Sequence, residues 1–185
     1  MKKSVITKLN KMAPCRESIE WAKNQPNKQA AWDTCERGDW MLWLLGGLSG
    51  PPGSEKRKKL VLASCDCAAT ALKYSVENRK VAEKAIRTSR LWARGKASIE
   101  DVRAVAYAAY AAAKAAYAAY ADSADSYAYA AYAADAASAA AKAAYAASAV
   151  YAADSAYAAS AAARTKAFKR CANIVRKHYP IAPRF

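Results

Sequence analysis

Residues 98–108 read SIEDVRAVAYA, and this stretch decides the fold class of the chain. Ser98 and Asp101 have the spacing of a capping box, in which the first side chain accepts a hydrogen bond from the amide of the fourth residue and the fourth side chain reaches back. Alanine, the strongest helix former, dominates the sequence after this stretch. No glycine or proline occurs between Ser98 and Pro180. We therefore predict helical structure throughout this half of the chain.

The alanine-rich segment contains a repeat of three residues. Between positions 114 and 160 a Lys, Tyr, Ser or Asp stands at almost every third position, with one slip after Ser138. Three residues turn an α-helix by about 300°, so these positions drift around the helix and form no single polar face. One straight helix over this segment would be about 120 Å long. We therefore expect at least two helices, with breaks at Asp122–Ser126 and Asp154–Ser155. Expansion of a short repeat in the gene explains the period equally well.

The first half of the chain contains most of the bulky residues that build a core. Helical spacing of apolar residues and the positions of proline and glycine predict a basic arm over residues 1–13, followed by five helices. These are Cys15–Asn24, Lys28–Arg37, Trp40–Leu45 (with Asp39 as N-cap and Gly46-Gly47 as its end), Glu55 to about Tyr74, and Asn78–Arg94. The predicted fold is all-α, with a Trp-rich helical domain at 1–97, an Ala/Tyr-rich multi-helix array at 98–179 and a basic tail at 180–185.

The chain is strongly basic, with a formal net charge of +15 from 30 basic and 15 acidic residues. Such a field attracts polyanions and acidic proteins, and it does not by itself choose between them. The start of the chain lacks the apolar run of a signal peptide, and Trp40–Leu45 is too short to cross a bilayer. Five cysteines, an odd number, fit reduced thiols in the cytosol. The sequence predicts a cytoplasmic protein without a membrane partner.

Four tryptophans and a nearby charged pair form the first candidate binding site. Indole rings can stack on a base or a cation, and an arginine can bind a phosphate or a carboxylate. The alternative is that the tryptophans are simply the core of a small helical domain that has few other large residues. The residues concerned are Trp21, Trp32, Arg37, Asp39, Trp40 and Trp43.

Two groups of basic residues form the second candidate site. Lys80, Lys84, Arg87 and Arg90 recur at intervals of three and four residues, which places them on one face of a helix. A run of four cations lies earlier in the chain. A solvated helix face is the simpler interpretation, and a surface for a polyanion or an acidic partner is the functional one. The earlier run is Lys56, Arg57, Lys58 and Lys59.

Patterns that would indicate an enzyme or a metal site are weak. Cys65 and Cys67 are separated by one residue, whereas structural zinc sites usually have two or more between paired cysteines. On a helix these two side chains point about 200° apart, which favours buried free thiols. His178 is the only histidine, and no nucleophile pattern or glycine-rich phosphate loop accompanies it. We expect no enzymatic activity, no metal and no cofactor.

The order of these parts resembles a known family. Residues 35–45 (CERGDWMLWLL), residues 67–72 (CAATAL), residues 92–95 (WARG) and the Ala-Ala-Tyr array follow one another as in the immunity proteins of bacteria and their phages, in the fifth group of the families that protect against polymorphic toxins. The resemblance implies an inhibitor that binds a toxin or similar effector in the bacterial cytoplasm. It assigns no site residues. The short loop after Tyr74 and the basic C-terminal tail depart from the family pattern.

The sequence is therefore compatible with three functions. The leading hypothesis is an inhibitor or immunity-type protein, phage-encoded and directed at a host defence effector or toxin. The alternatives are a nucleic-acid-binding protein that uses its basic arm and tail, and a protein that sequesters a nucleotide in the tryptophan cluster or between the alanine-rich helices. The sequence does not identify the partner or the oligomeric state.

Overall fold

The computed structural model describes residues 1–51, 53–70, 72, 79–108 and 161–184. Among these residues there are eight helices and no strand, which confirms the predicted all-α class. No helix in this part of the chain is long and apolar enough to cross a membrane. In chain order the helices are α1 Lys3–Asn10, α2 Arg16–Lys23, α3 Lys28–Thr34, α4 Gly38–Leu48, α5 Glu55–Ala69, α6 Arg79–Ala93, α7 over residues 99–108 and α8 Ala161–His178.

The main hydrophobic core lies where α4, α5 and α8 meet, and α6 packs against α5. Leu42 of α4, Leu60 of α5 and Val175 of α8 are fully buried there. The C-terminal end of the predicted array, as helix α8, therefore shares one core with residues of the first hundred. The division of the chain at residue 97 remains a prediction.

The N-terminal segment predicted as a basic arm is helical. Val5, Ile6 and Leu9 lie three and four residues apart on α1, and they pack against Ile19 and Ala22 of α2. This short apolar face is what holds the segment in place, and the basic residues around it had concealed its periodicity. The arm prediction was therefore wrong for residues 3–10.

Helix α4 is longer than predicted. It begins at Gly38 and ends at Leu48, so it includes the two glycines expected to end it. Its N-cap residue is Arg37, whose side chain makes no capping hydrogen bond, while Asp39 lies in the first turn. Burial of Met41, Leu42 and Leu45 against the core stabilises the helix, and this outweighs the low helix propensity of glycine.

Some predicted helix boundaries are confirmed, and other predicted helices are longer than the observed ones. The hydroxyl of Ser98 accepts from the amide of Asp101 (3.0 Å), and the Asp101 carboxylate accepts from the amide of Ser98 (2.8 Å), which confirms the capping box. Helix α5 ends at Ala69 rather than near Tyr74, and the hydroxyl of Thr70 donates back to a carbonyl of its last turn. Such local hydrogen bonds compete with continuation of a helix.

Both described ends of the array pack on the same helical body. Val105 of α7 contacts Ala85 of α6, and α8 packs against α4 and α5. The prediction of at least two helices over residues 98–179 concerns mainly residues 109–160 and stays a prediction. The predicted breaks and the tyrosine repeat lie in residues 109–160, outside the described part of the chain.

Candidate binding surfaces

The outward face of α6 carries a row of cations. Its opposite face is buried against the rest of the fold through Ala85, Ile86, Ser89 and Ala93. At 100° per residue, the outward residues fall within a sector of about 80° centred opposite Ser89. We call this row the α6 stripe, and it consists of Lys80, Lys84, Arg87, Leu91 and Arg94. The four basic residues are exposed, and Leu91 is half-buried among them.

The charges of the α6 stripe are not neutralised within the described part of the chain. The neighbouring Arg79 pairs with Glu83 (2.8 Å), and Arg90 pairs with Asp66 (2.7 Å). No carboxylate of the described ranges forms an ion pair with Lys80, Lys84, Arg87 or Arg94. Arg90, predicted to belong with this group, is instead half-buried at its edge and held by Asp66. These four cations form a positive ridge about 21 Å long on the outward face of α6.

Most side chains of the basic run on α5 make contacts within the protein. Arg57 donates from Nε (3.1 Å) and Nη2 (2.6 Å) to the carbonyl of Gly50. Lys58 pairs with Glu55 (2.8 Å), and the Nζ of Lys59 lies 4.8 Å from the centre of the Tyr179 ring. Lys56, the remaining member of the run, is exposed. The structure thus distinguishes the α5 run, most of whose side chains have partners, from the α6 stripe, whose cations have no carboxylate partner in the described ranges.

A cleft with a volume of about 360 Å³ opens beside α6. We call it the arginine cleft, because three arginines contribute to its wall. Such a volume lies within the range of small-molecule pockets, about 300–1,000 Å³. Its lining residues are Leu72, Glu83, Ile86, Arg87, Arg90, Leu91 and Arg94.

The four tryptophans of the first candidate site line one cleft, and Trp32 is also part of the hydrophobic core. Trp32 is 4% exposed, and its Nε1 donates to the carbonyl of Tyr179 (2.7 Å). The rings of Trp21 and Trp40 are half-buried, with centroids 5.9 Å apart. Together with Trp43 these rings line an apolar cleft of about 90 Å³. That volume is less than a third of the lower limit of about 300 Å³ for small-molecule pockets. The tryptophan cleft is therefore smaller than the usual site of a nucleotide-sized ligand.

The charged pair beside the tryptophans is already engaged. The Arg37 guanidinium lies between the rings of Trp40 (4.4 Å) and Phe168 (4.7 Å). It also pairs with Asp39 (2.5 Å) and Glu17 (3.3 Å). The hydrogen bond to Asp39 raises the pKa of Arg37 above its ordinary value. Arg37 therefore holds α2, the start of α4 and α8 together, and Asp39 is its ion-pair partner.

No sequence pattern predicted the charged network centred on Asp66. Asp66 of α5 accepts from Arg90 of α6 (2.7 Å) and lies 2.8 Å from Nε2 of His178 on α8. Burial raises the pKa of Asp66, but the hydrogen bonds with His178 and Arg90 lower it further, so the pKa lies below its ordinary value. His178, for which the sequence showed no accompanying motif, joins α8 to α5 through this contact. A separation of 112 residues between Asp66 and His178 leaves no local pattern to find.

The cysteines are free thiols, as expected, and four of the five are buried. Cys67 and Cys171 face each other between α5 and α8, where the Cys67 thiol lies 3.8 Å from the Cys171 carbonyl oxygen. Within the described ranges, no group of three or more His, Cys, Asp or Glu residues is arranged to hold a metal ion.

Comparisons of the chain with models of protein families, with curated proteins and with solved structures found no match. Its function is therefore inferred from the α6 stripe and the two clefts.

Proposed function

We propose that this chain is a non-enzymatic binding protein of the inhibitor or immunity type, which docks an acidic protein through the α6 stripe. The observation that carries the proposal is the row formed by Lys80, Lys84, Arg87 and Arg94. These four cations are exposed on a helix whose other face is buried, and no carboxylate in the described part of the chain pairs with them. The proposed partner is a toxin or defence effector of the bacterial cytoplasm, in line with the resemblance of residues 35–45 to immunity proteins.

The surroundings of the stripe favour a protein over a nucleic acid as partner. Leu91 lies among the cations, and a partly apolar centre with a polar rim is typical of protein interfaces. The ion pair of Arg79 with Glu83 borders the row, so charges of both signs meet at its edge, as is usual in the polar rim of a protein interface.

Electrostatics gives the stripe a kinetic role. Complementary charge steers encounter and raises association rates from about 10⁵–10⁶ to as much as 10⁸–10⁹ M⁻¹s⁻¹ at low salt. An inhibitor must reach its target before the target acts, so rapid association suits this function. The apolar cleft of Trp21, Trp40 and Trp43 lies on another part of the fold and is not needed for this docking.

The experiment is a comparison of captured proteins. The full-length chain and a charge-reversed variant, Lys80→Glu/Lys84→Glu, are used to capture proteins from a nuclease-treated bacterial lysate. The matched control is Lys2→Glu/Lys3→Glu, which makes the same change in net charge at two exposed residues outside the stripe. Each captured protein is then purified, and its affinity for the wild type and for each of the two variants is measured directly.

The proposal predicts an acidic protein that binds the wild type and the control with equal affinity and binds the stripe variant at least about tenfold more weakly, a loss of ~1.4 kcal/mol. Co-expression with the wild type should also neutralise the activity of that protein. Binding that is lost after nuclease treatment, with a steep dependence on salt, would indicate a nucleic-acid-binding protein instead. Equal capture by both charge-reversed variants would rule out the α6 stripe.

A further inference from the structure

The arginine cleft has a chemistry different from that of the α6 stripe. Arg87, Arg90 and Arg94 stand at positions i, i+3 and i+7 of α6, so their side chains share one wall of the cleft. The apolar part of the lining comes from Leu72, Ile86 and Leu91, whose hydrocarbon side chains line the same cleft. Of these, Ile86 is buried, with 6% of its surface exposed. The cleft therefore combines a cationic wall with an apolar floor.

Within the described ranges, charge pairing leaves two positive charges in the cleft. The carboxylate of Glu83 is paired with Arg79 (2.8 Å), and the Nη2 of Arg90 is paired with Asp66 (2.7 Å). Arg87 and Arg94 have no carboxylate partner within the described ranges. The guanidinium groups of Arg87 and Arg94 match the two negative charges of a phosphate monoester. Arginine also binds phosphate through pairs of parallel N–H donors, which gives the contact a defined geometry.

Arg90 is positioned to act together with these two residues. Its contact with Asp66, which is itself bonded to His178, fixes one edge of the guanidinium. A side chain held in this way loses less conformational entropy when a ligand binds. Arg90 can then present the rest of its planar fork to an anion placed between Arg87 and Arg94.

We infer that the arginine cleft binds a nucleotide, with phosphate oxygens on Arg87, Arg90 and Arg94 and the base or ribose against Leu72, Ile86 and Leu91. The volume of about 360 Å³ is sufficient for a mononucleotide in a cleft open on one side, whereas the tryptophan cleft of about 90 Å³ is not. Inorganic phosphate would satisfy only the arginines, and a nucleoside would satisfy only the apolar floor. The inference does not require the proposed protein partner, although Arg87, Leu91 and Arg94 belong to both the cleft and the α6 stripe.

The test is calorimetric titration of the purified full-length chain with ADP, adenosine and inorganic phosphate at moderate salt. The critical variant is Arg87→Ala/Arg94→Ala, and its matched control is Lys80→Ala/Lys84→Ala. Both variants remove two positive charges from the exposed side of α6, but only the first pair lines the cleft. Circular dichroism verifies that both variants keep their helices.

We expect ADP to bind the wild type more tightly than adenosine or phosphate does. The Arg87→Ala/Arg94→Ala variant should bind ADP at least about tenfold more weakly, because charge-assisted hydrogen bonds are lost. The Lys80→Ala/Lys84→Ala control should differ from the wild type by less than about threefold, because its charges lie outside the cleft and are screened by salt. Absence of ADP binding at millimolar concentration, equal losses in the two variants, or phosphate binding as tightly as ADP would each overturn the inference. Since the lysine control tests the protein-docking row separately, failure of one proposal leaves the other measurable.

Discussion

The first residue of α4, Gly38, lies directly against Cys171 of α8. A β-carbon placed on Gly38 would be 2.6 Å from the Cβ of Cys171 and 2.7 Å from the backbone nitrogen of Ala172. Only a glycine allows this approach of the two helices. This contact joins the start of α4, which carries Trp40 and Trp43, to the helix that ends the predicted array.

Substitution of Gly38 by alanine should destabilise the fold by about 1–3 kcal/mol, the usual cost of inserting a methyl group into a packed contact. The obstruction is the backbone of α8, which cannot move aside as a side chain can. Gly47→Ala is the matched control in the same helix, because its added methyl group would meet only the end of the flexible Met12 side chain. The free energy of unfolding in urea measures both changes. Equal stability of the two variants would contradict the close contact.

Arg176 of α8 binds the C-terminal end of α3, so its removal should also destabilise the protein. Its Nη1 donates to the carbonyls of Trp32 (3.0 Å) and Cys35 (2.8 Å), which no backbone amide of α3 can reach. We expect Arg176→Met to lower the free energy of unfolding by about 1–3 kcal/mol, since it leaves these carbonyls without their donor. Arg176→Lys should recover only part of this loss, because a lysine lacks the planar fork. Denaturation curves followed by tryptophan fluorescence test this, and a wild-type midpoint for Arg176→Met would contradict it.

Local signals in the sequence were sufficient for much of the fold. The capping box of Ser98 and Asp101 and the apolar spacing over residues 79–93 identified helices close to their observed ends. Where tertiary packing determines the end of a helix, the prediction from local signals was wrong. Helix α4 continues through Gly46 and Gly47 because its leucines are buried, and no local pattern reports that burial.

The candidate sites show the same limit. The spacing of Lys80, Lys84 and Arg87 correctly predicted a shared helix face, but the sequence did not indicate which cations have partners. Arg90 pairs with an aspartate 24 residues away, and Arg57 binds the Gly50 carbonyl of a preceding loop. Such pairings depend on tertiary packing, so only the structure shows that most of the α5 run is paired while the cations of the α6 stripe lack a carboxylate partner in the described ranges.

The network centred on Asp66 predicts a dependence of stability on pH. An unfolded aspartate titrates near pH ~3.9, and the pKa of Asp66 is lower in the folded protein. The unfolded state therefore takes up the proton first on acidification. The stabilisation from the carboxylate is complete above that pH and is lost as the pH falls through the folded pKa. Asp66→Asn should be less stable than the wild type at neutral pH, and the difference should shrink below about pH 4. A difference that stays constant between neutral pH and about pH 3 would contradict the role of the Asp66 carboxylate.

Thiol reactivity should distinguish one cysteine from the other four. Cys15 is exposed, whereas Cys35, Cys65, Cys67 and Cys171 are buried. Burial raises the pKa of Cys35 to about 11 and that of Cys65 to about 12, which suppresses their thiolate forms. With an aromatic disulfide reagent at about pH 8, we expect rapid reaction of one thiol in the native protein and of all the thiols in denaturant. Cys15→Ser should abolish the rapid phase, and a second fast thiol would contradict the burial of the other four cysteines.

The most direct test of the central claim is site-directed photo-crosslinking from within the α6 stripe. A photoreactive phenylalanine derivative is introduced at Leu91, between Arg87 and Arg94, and separately at Ile181, which is 75% exposed outside the stripe. After irradiation in bacterial cells, products are identified by mass spectrometry. The account predicts a cross-link from position 91 to an acidic protein, absent from position 181 and lost when Lys80 and Lys84 are changed to glutamate. Cross-links from position 91 to nucleic acid, or the same products from both positions, would contradict docking of an acidic protein on α6.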